Sequence, residues 1–283
     1  MAFELYLSEN VRRQRQFIPY VPFCDESCPL PGCTAVVYEK GRDRALYGAA
    51  GLDFCALSGA APLPGSDYFA APWRDGIALQ AGKEPRALVF VRDGYTRMDV
   101  IADTMAAGST TLYDLLLHGY QYVCAQAGAL LMHASAVNYR GEAILFCGVS
   151  GAGKSTQAAA WVKYYGAEPI NYDHPCLIWQ GGLPHACGTP WGGKEKLAAP
   201  ACAPVKAIVF IHKNEHSAVH PIGKGEAFSR LLLNNALPLA RPEPQEKMMA
   251  TVERLVQCVP VYHQEGTLTR EAPDTLHRAL YGE

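Results

Sequence analysis

Nine consecutive residues, Gly148-Val149-Ser150-Gly151-Ala152-Gly153-Lys154-Ser155-Thr156, fit the spacing G-x-x-x-x-G-K-[ST] in full, and that spacing suits phosphate binding. The glycines let the backbone curl so that N–H groups along Gly148, Ser150, Gly151, Ala152 and Gly153 converge on phosphate oxygens. A helix opening at the end of the loop adds the positive end of its dipole. Lys154 can reach the β- and γ-phosphates, and the hydroxyl of Ser155, with Thr156 beside it, can ligate a magnesium ion that screens them.

Phosphoryl transfer also needs a carboxylate for the metal and a group that orients or deprotonates the attacking hydroxyl. Asp173 suits the first role, because it closes the strand expected after the loop's helix; a solvated turn aspartate is the plainer alternative. His133 lies on the strand expected to pair with the one entering the loop, where it serves either the γ-phosphate or only the local structure. A second glycine-rich stretch, Gly188 to Lys196, can bring Lys194 or Lys196 to the transferring phosphate, or can be a surface turn with solvated lysines. Arg230 and Arg241 are further candidates for a cation at the transition state.

These groups must be positioned by a strand, a loop and a helix in succession. Glu142–Cys147 is a buried strand, and Thr156–Val162 starts a helix. Before them, Leu130–Val137 forms a strand and Asn138–Gly141 a turn, so a hairpin precedes the loop. Glu168–Asp173, Cys176–Trp179, Pro184–Cys187, Val205–Ile211 and Val259–Tyr262 are further strands. Gly225–Leu233, Pro244–Gln257 and Pro273–Leu280 have helical periodicity. The fold class expected is α/β (α+β), with a mixed sheet in a nucleotide-binding domain over 109–283 that is entered through a helix capped by Ser109 or Thr110. Residues 1–108 should form a smaller antiparallel β-rich region for substrate or partner binding, with a hairpin at Asp93-Gly94 and a loop over Ser58–Trp73.

The 283 residues, 49% hydrophobic and 18% charged, belong to a folded soluble protein. A net charge of −2 gives no basic field for nucleic acid or an anionic membrane. Without a leader pattern or an apolar run of membrane-spanning length, the expected location is the cytoplasm, where the ten scattered cysteines default to free thiols. Cys24, Cys28 and Cys33 lie together, but their spacing matches no common zinc or iron–sulfur pattern.

His133-Ala134-Ser135-Ala136, the hairpin, the phosphate loop and Asp173 together resemble the HPr kinase/phosphorylase and ATP-dependent phosphoenolpyruvate carboxykinase superfamily. The likeness covers roughly residues 128 to 283. It is closest to the small stand-alone HPr-kinase-like proteins of ribosomal peptide cassettes, including lasso-peptide kinases, whose Thr-Pro-Trp-x-Gly-Lys loop is similar to Thr189-Pro190-Trp191-Gly192-Gly193-Lys194. The late Val259-Pro260-Val261-Tyr262 segment is similar as well. The resemblance implies an ATP- and Mg2+-dependent kinase that phosphorylates a serine-type hydroxyl of a peptide or small molecule, with Lys154, Asp173 and His133 in the active site. Homo-oligomerisation is left open. One departure matters: the superfamily carries two adjacent aspartates where this chain has Tyr172-Asp173-His174. The alternative is therefore a catalytically weak or inactive ATP-binding accessory or regulatory protein.

Overall fold

The structure, a computed structural model, describes residues 3–7, 32–63, 66–103, 108–235, 240–267 and 269–282. The chain divides into two compact units, one made of 1–128 with 237–248, the other of 129–236 with 249–283.

The first unit is built on a seven-stranded sheet. In chain order its elements are β1 (Phe3–Leu7), β2 (Cys33–Glu39), helix α1 (Arg44–Ala49), β3 (Ala61–Pro62), β4 (Tyr68–Trp73), β5 (Gly76–Ala81), β6 (Ala87–Arg92), β7 (Arg97–Ala102) and helix α2 (Gly108–Gln126). The strand order is β1-β2-β7-β6-β5-β4-β3. β5 and β6 are mostly apolar and buried along nearly their whole length, interrupted only by Gln80 and the terminal Arg92, because both of their faces are covered. Leu88 and Phe90 face a cluster with Tyr38, Tyr47 and Leu52, while α2 packs on β5 and β6. That helix comes very close to the sheet at Gly119, where a Cβ would lie 2.8 Å from Met98 Sδ.

The sheet corrects the expectation of antiparallel pairing. β1 pairs with β2, and β2 with β7, in parallel, which hydrophobic periodicity cannot reveal because it reports faces and not partners. The expected loop over Ser58–Trp73 contains β4, whose alternation is interrupted by Pro72. The hairpin at Asp93-Gly94 joins β6 to β7, with φ of 54° and 64° at those residues. The helix placed by the sequence at the head of the nucleotide domain is α2, and it belongs to this first unit.

The second unit contains β8 (Leu130–Leu131), β9 (Ala134–Tyr139), β10 (Glu142–Cys147), α3 (Lys154–Tyr165), β11 (Glu168–Asn171), β12 (Cys176–Gln180), β13 (Leu183–Cys187), β14 (Cys202–Lys213), β15 (Ala218–Pro221) and α4 (Lys224–Asn234). Helix α5 (Pro242–Cys258) starts in the first unit and ends in the second, which then closes with β16 (Val261–Gly266) and α6 (Glu271–Tyr281). Its nine-stranded sheet is mixed. β10, β14 and β16 run parallel, while β9 is antiparallel to β10 and to β11. The β9–β10 hairpin turns at Arg140 and Gly141, both with positive φ (55° and 83°), as two-residue hairpins of primed type require. α3 lies over β9 and β10. Its Ala158 and Trp161 pack with Ile144, Phe146 and Val209 into one apolar core.

One thiol expectation changes. Cys187 and Cys202 face each other on antiparallel β13 and β14, with Cα atoms 4.1 Å apart, and form a disulfide. Cys33 is buried on β2, while Cys24 and Cys28 lie outside the described residues. No described helix is long and apolar enough to cross a membrane.

Candidate functional site

The glycine-rich loop from Gly148 to Thr156 begins where β10 ends. Cys147 is paired with Phe210 of β14, and at Gly148 (φ 145°) a Cβ would lie 3.1 Å from the Ile211 carbonyl oxygen, so a side chain would push the loop off the sheet. Gly151 and Gly153 take φ of 80° and 104°, the left-handed region open to glycine. α3 starts at Lys154, two residues earlier than the sequence suggests, with Gly153 as its N-cap and no side chain capping it. The first-turn N–H groups therefore lack a capping partner and are directed at the loop's concavity. Lys154 is 9% exposed. Its Nζ donates to the carbonyls of Gly148 (3.0 Å) and Val149 (3.4 Å). Burial lowers its pKa, against opposing pulls from Cys147 and Asp173. Ser155 is half-buried on the first turn, whereas Ser150 and Thr156 are exposed.

Asp173 is turned toward this loop by its neighbours. β11 stops at Asn171, whose Oδ1 accepts the N–H groups of Asp173 and His174, both at 2.8 Å. This Asx-turn ends the strand two residues before the sequence suggests, while the Asp173 carbonyl still accepts the Ala134 N–H of β9 at 2.9 Å. Asn171 Nδ2 donates to the Thr189 carbonyl at 3.0 Å, and Thr189 Oγ1 donates to the His174 carbonyl at 2.6 Å. The second glycine-rich loop is thereby fastened to the Asp173 turn. At Gly193 (φ 70°) a Cβ would sit 2.9 Å from Asp173 Cβ and 3.2 Å from its Oδ2. Lys194, the next residue, is exposed.

His133 stands where the chain changes partners, between β8, which pairs with β12, and β9, which pairs with β10 and β11. The strand expected over Leu130–Val137 is therefore broken at the histidine. Its Nε2 lies 3.7 Å from Asp173 Oδ1, and His174 Nδ1 lies 3.2 Å from Asp173 Oδ2. The two imidazoles stack at 5.3 Å with an interplanar angle of 13°. Burial, then Lys154 and His174, push the His133 pKa down to about 4, against Asp173. Burial alone would raise the Asp173 carboxyl, but His174, His133 and Lys154 together outweigh it and hold the carboxyl below its ordinary value. The result is an ionised carboxylate flanked by a neutral imidazole and influenced by the loop lysine.

Sequence reasoning missed Asn234, the last residue of α4. Its Nδ2 donates to the His133 carbonyl at 2.9 Å, and its Oδ1 accepts the Gly148 N–H at 3.2 Å. One side chain thus ties the histidine to the first glycine of the loop. Tyr172, the residue in place of a second acid, is 6% exposed and packs in the core with Trp161 and Ile144. Both cationic candidates have partners within their own units. Arg230 binds Glu226 (2.6 Å) and His263 (3.0 Å). Arg241 belongs to the first unit and donates to the Gly76 and Arg74 carbonyls.

Among the described residues, no group of three or more His, Cys, Asp or Glu side chains is arranged to hold a metal ion. Magnesium does not need one, since it is commonly held by one or two protein oxygens together with substrate phosphates and water. An uncapped helix start, a glycine cradle, a lysine and one ionised carboxylate fit a magnesium-bound polyphosphate.

No protein-family model matches the chain, and no curated protein matches its sequence. Among solved structures, the chain is similar to the Hpr(Ser) kinase/phosphatase from Coxiella burnetii, at 10% sequence identity and a TM-score of 0.28. The match covers 53% of this chain and 90% of that one.

Proposed function

We propose that the chain is a magnesium- and ATP-dependent kinase that transfers the γ-phosphoryl group to a serine-type hydroxyl of a peptide or small molecule. The observation that carries this reading is Asp173, an ionised carboxylate kept between two imidazoles and within Coulombic reach of the loop lysine. The loop's N–H groups and Lys154 hold the β- and γ-phosphates. Ser155 Oγ and an Asp173 oxygen would hold magnesium, which when bound would neutralise charge on the transferring group.

With one carboxylate engaged in this way, the acceptor's proton falls to His133. Its imidazole is neutral at physiological pH, so it can accept a proton, although a pKa of about 4 makes it a weak base. The Lys154 charge is one cause of that low value. Phosphate oxygens against Lys154 would offset that one contribution, while magnesium on Asp173 would work against it. The loose transition state of phosphoryl transfer asks little more of a base. Lys194, beside Gly193, supplies a mobile cation to the transferring group or to an acidic substrate. The hydroxyl acceptor and ATP as the donor are carried by the sequence resemblance.

Incubation with magnesium, γ-labelled ATP and hydroxyl-bearing peptides or small molecules tests the proposal. Label should reach an acceptor and be lost in Lys154→Ala. Transfer that survives this substitution removes the site assignment.

A further inference from the structure

Three cysteines stand in one row across adjacent strands. Cys176 of β12 is directly opposite Cys187 of β13, and Cys187 is directly opposite Cys202 of β14. Directly opposed residues of antiparallel strands project from the same face of a sheet, so the three side chains share one face. Cys187 and Cys202 form the disulfide, while Cys176 carries a thiol. The middle sulfur of the row is therefore already bridged. A Cys176 thiolate meets Cys187 Sγ with Cys202 on its far side, which is the order that displacement at a disulfide sulfur needs.

Opposed antiparallel residues have Cα atoms about 4.5–5.5 Å apart, inside the range of about 4.4–6.8 Å over which two cysteines can be bridged. Joining Cys176 to Cys187 thus asks for a side-chain rotation that gives up the long contact of Cys176 Sγ with the Leu177 carbonyl, 3.9 Å. The two bridges close spans of similar length, a separation of 15 residues for Cys187–Cys202 and the β12–β13 hairpin for Cys176–Cys187. Loop entropy separates them little. Cys176 and Cys187 are 0% and 1% exposed, whereas Cys202 is half-buried, so exchange releases the thiol that solvent reaches. The row also adjoins the candidate site. Cys187 and Cys202 bracket the second glycine-rich loop, within which the Leu197 carbonyl accepts the Tyr172 N–H at 3.0 Å and the Trp191 carbonyl the His174 N–H at 3.1 Å. Cys176 follows Asp173 by three residues, and the carbonyl of Pro175 accepts the Met132 N–H at 2.9 Å, next to His133.

We propose that Cys176, Cys187 and Cys202 form a thiol–disulfide exchange site, which moves the bridge from the base of the second loop to the β12–β13 hairpin and so sets how firmly that loop is held against Asp173. The Cys176 thiol gives up its proton, and its thiolate attacks Cys187 Sγ. The Cys176–Cys187 bond forms as the Cys187–Cys202 bond breaks, and the Cys202 thiolate takes up a proton. One disulfide and one thiol are present before and after, so no outside oxidant or reductant is consumed. The exchange does not depend on the kinase reading of the site.

Two variants hold the bridge in one place each. Cys176→Ser keeps Cys187–Cys202, and Cys202→Ser, oxidised with glutathione disulfide, leaves Cys176 as the partner of Cys187 in the row. Wild type is held at about pH 8.5, near the ordinary thiol pKa, without reductant. It is then quenched in acid, alkylated in denaturant and mapped by proteolysis and mass spectrometry, and amide hydrogen exchange is followed in both variants. Wild type should yield both Cys187–Cys202 and Cys176–Cys187 peptides, and Cys202→Ser the Cys176–Cys187 peptide. Amides of residues 188–201 should exchange about tenfold or more faster in Cys202→Ser than in Cys176→Ser, while those of β9 and β10 stay equally protected and report an intact fold. Wild type that holds Cys187–Cys202 alone, Cys202→Ser that ends with Cys187 as a thiol or bound to glutathione, or equal exchange over 188–201 in the two variants overturns the proposal. The wild-type map needs no variant, so it decides the exchange even where a substitution prevents folding.

Discussion

Asn234 Oδ1 accepts the N–H of Gly148 at 3.2 Å, joining the end of α4 to the first residue of the phosphate loop. The same amide donates to the His133 carbonyl at 2.9 Å. Its donor half can be removed alone. Asn234→Asp keeps the acceptor and loses the donor, whereas Asn234→Leu loses both. We expect kcat to fall about tenfold in the first and about a hundredfold in the second, since small misplacements of reacting groups are costly. Steady-state kinetics beside a melting curve checks this: equal loss in both variants, tracking stability, would reduce Asn234 to a structural residue.

Tyr172 is part of the apolar core under α3, so an acid there cannot simply restore a pair of carboxylates. Tyr172→Asp should destabilise the protein by about 2 kcal/mol or more, the cost of burying an unpaired polar group, without raising activity. Tyr172→Phe should stay within about 1 kcal/mol of wild type. Urea denaturation measures both, and an active, stable Tyr172→Asp protein would show that this position faces the site.

His133 ties stability to pH. Unfolded, it takes its proton near the ordinary 6.5; folded, only near 4. Between those values the unfolded state holds more protons, so stability falls as pH drops through that window. Asp173 has the depressed value of a carboxylate, so its contribution is present above the ordinary carboxylate range and is lost only at lower pH, through its folded value. Melting temperatures of wild type should fall more steeply across the histidine window than those of His133→Gln. Parallel curves would contradict the assigned environment.

The Cys187–Cys202 disulfide closes a segment of 15 residues that includes Thr189 and Gly193, the contacts that fasten the second loop to Asp173. Constraining a loop of that length is worth about 3 kcal/mol in the chain-entropy account. Cys187→Ser should lose about that much stability in urea, and dithiothreitol should reproduce the loss in wild type but not in the variant. A wild-type protein indifferent to the reductant would show that the bridge contributes nothing.

What the sequence disclosed follows from how local each feature is. Gly148 to Thr156 is legible as a loop leading into a helix because one contiguous stretch contains its positive-φ glycines and the lysine that opens α3. Asp173 is legible because a single strand separates it from the helix after the loop. Asn234 is not, since an asparagine at a helix end is ordinary and its partners are 86 and 101 residues away. The Cys187–Cys202 pair needs the register of β13 on β14, which ten scattered cysteines do not encode. β1 and β7 look antiparallel-competent in isolation, and only their shared partner β2 reveals the parallel ladder. Tyr172 reads as a lost ligand in sequence but is a core residue in space.

The most direct test of the central claim is calorimetric titration of ATP, with and without magnesium, into wild type, Lys154→Ala and Asp173→Asn. The account predicts tight, magnesium-strengthened binding to wild type, a loss of about a hundredfold in Lys154→Ala, and binding in Asp173→Asn that no longer responds to magnesium. ATP that does not bind, or that binds Lys154→Ala as tightly as wild type, would contradict it.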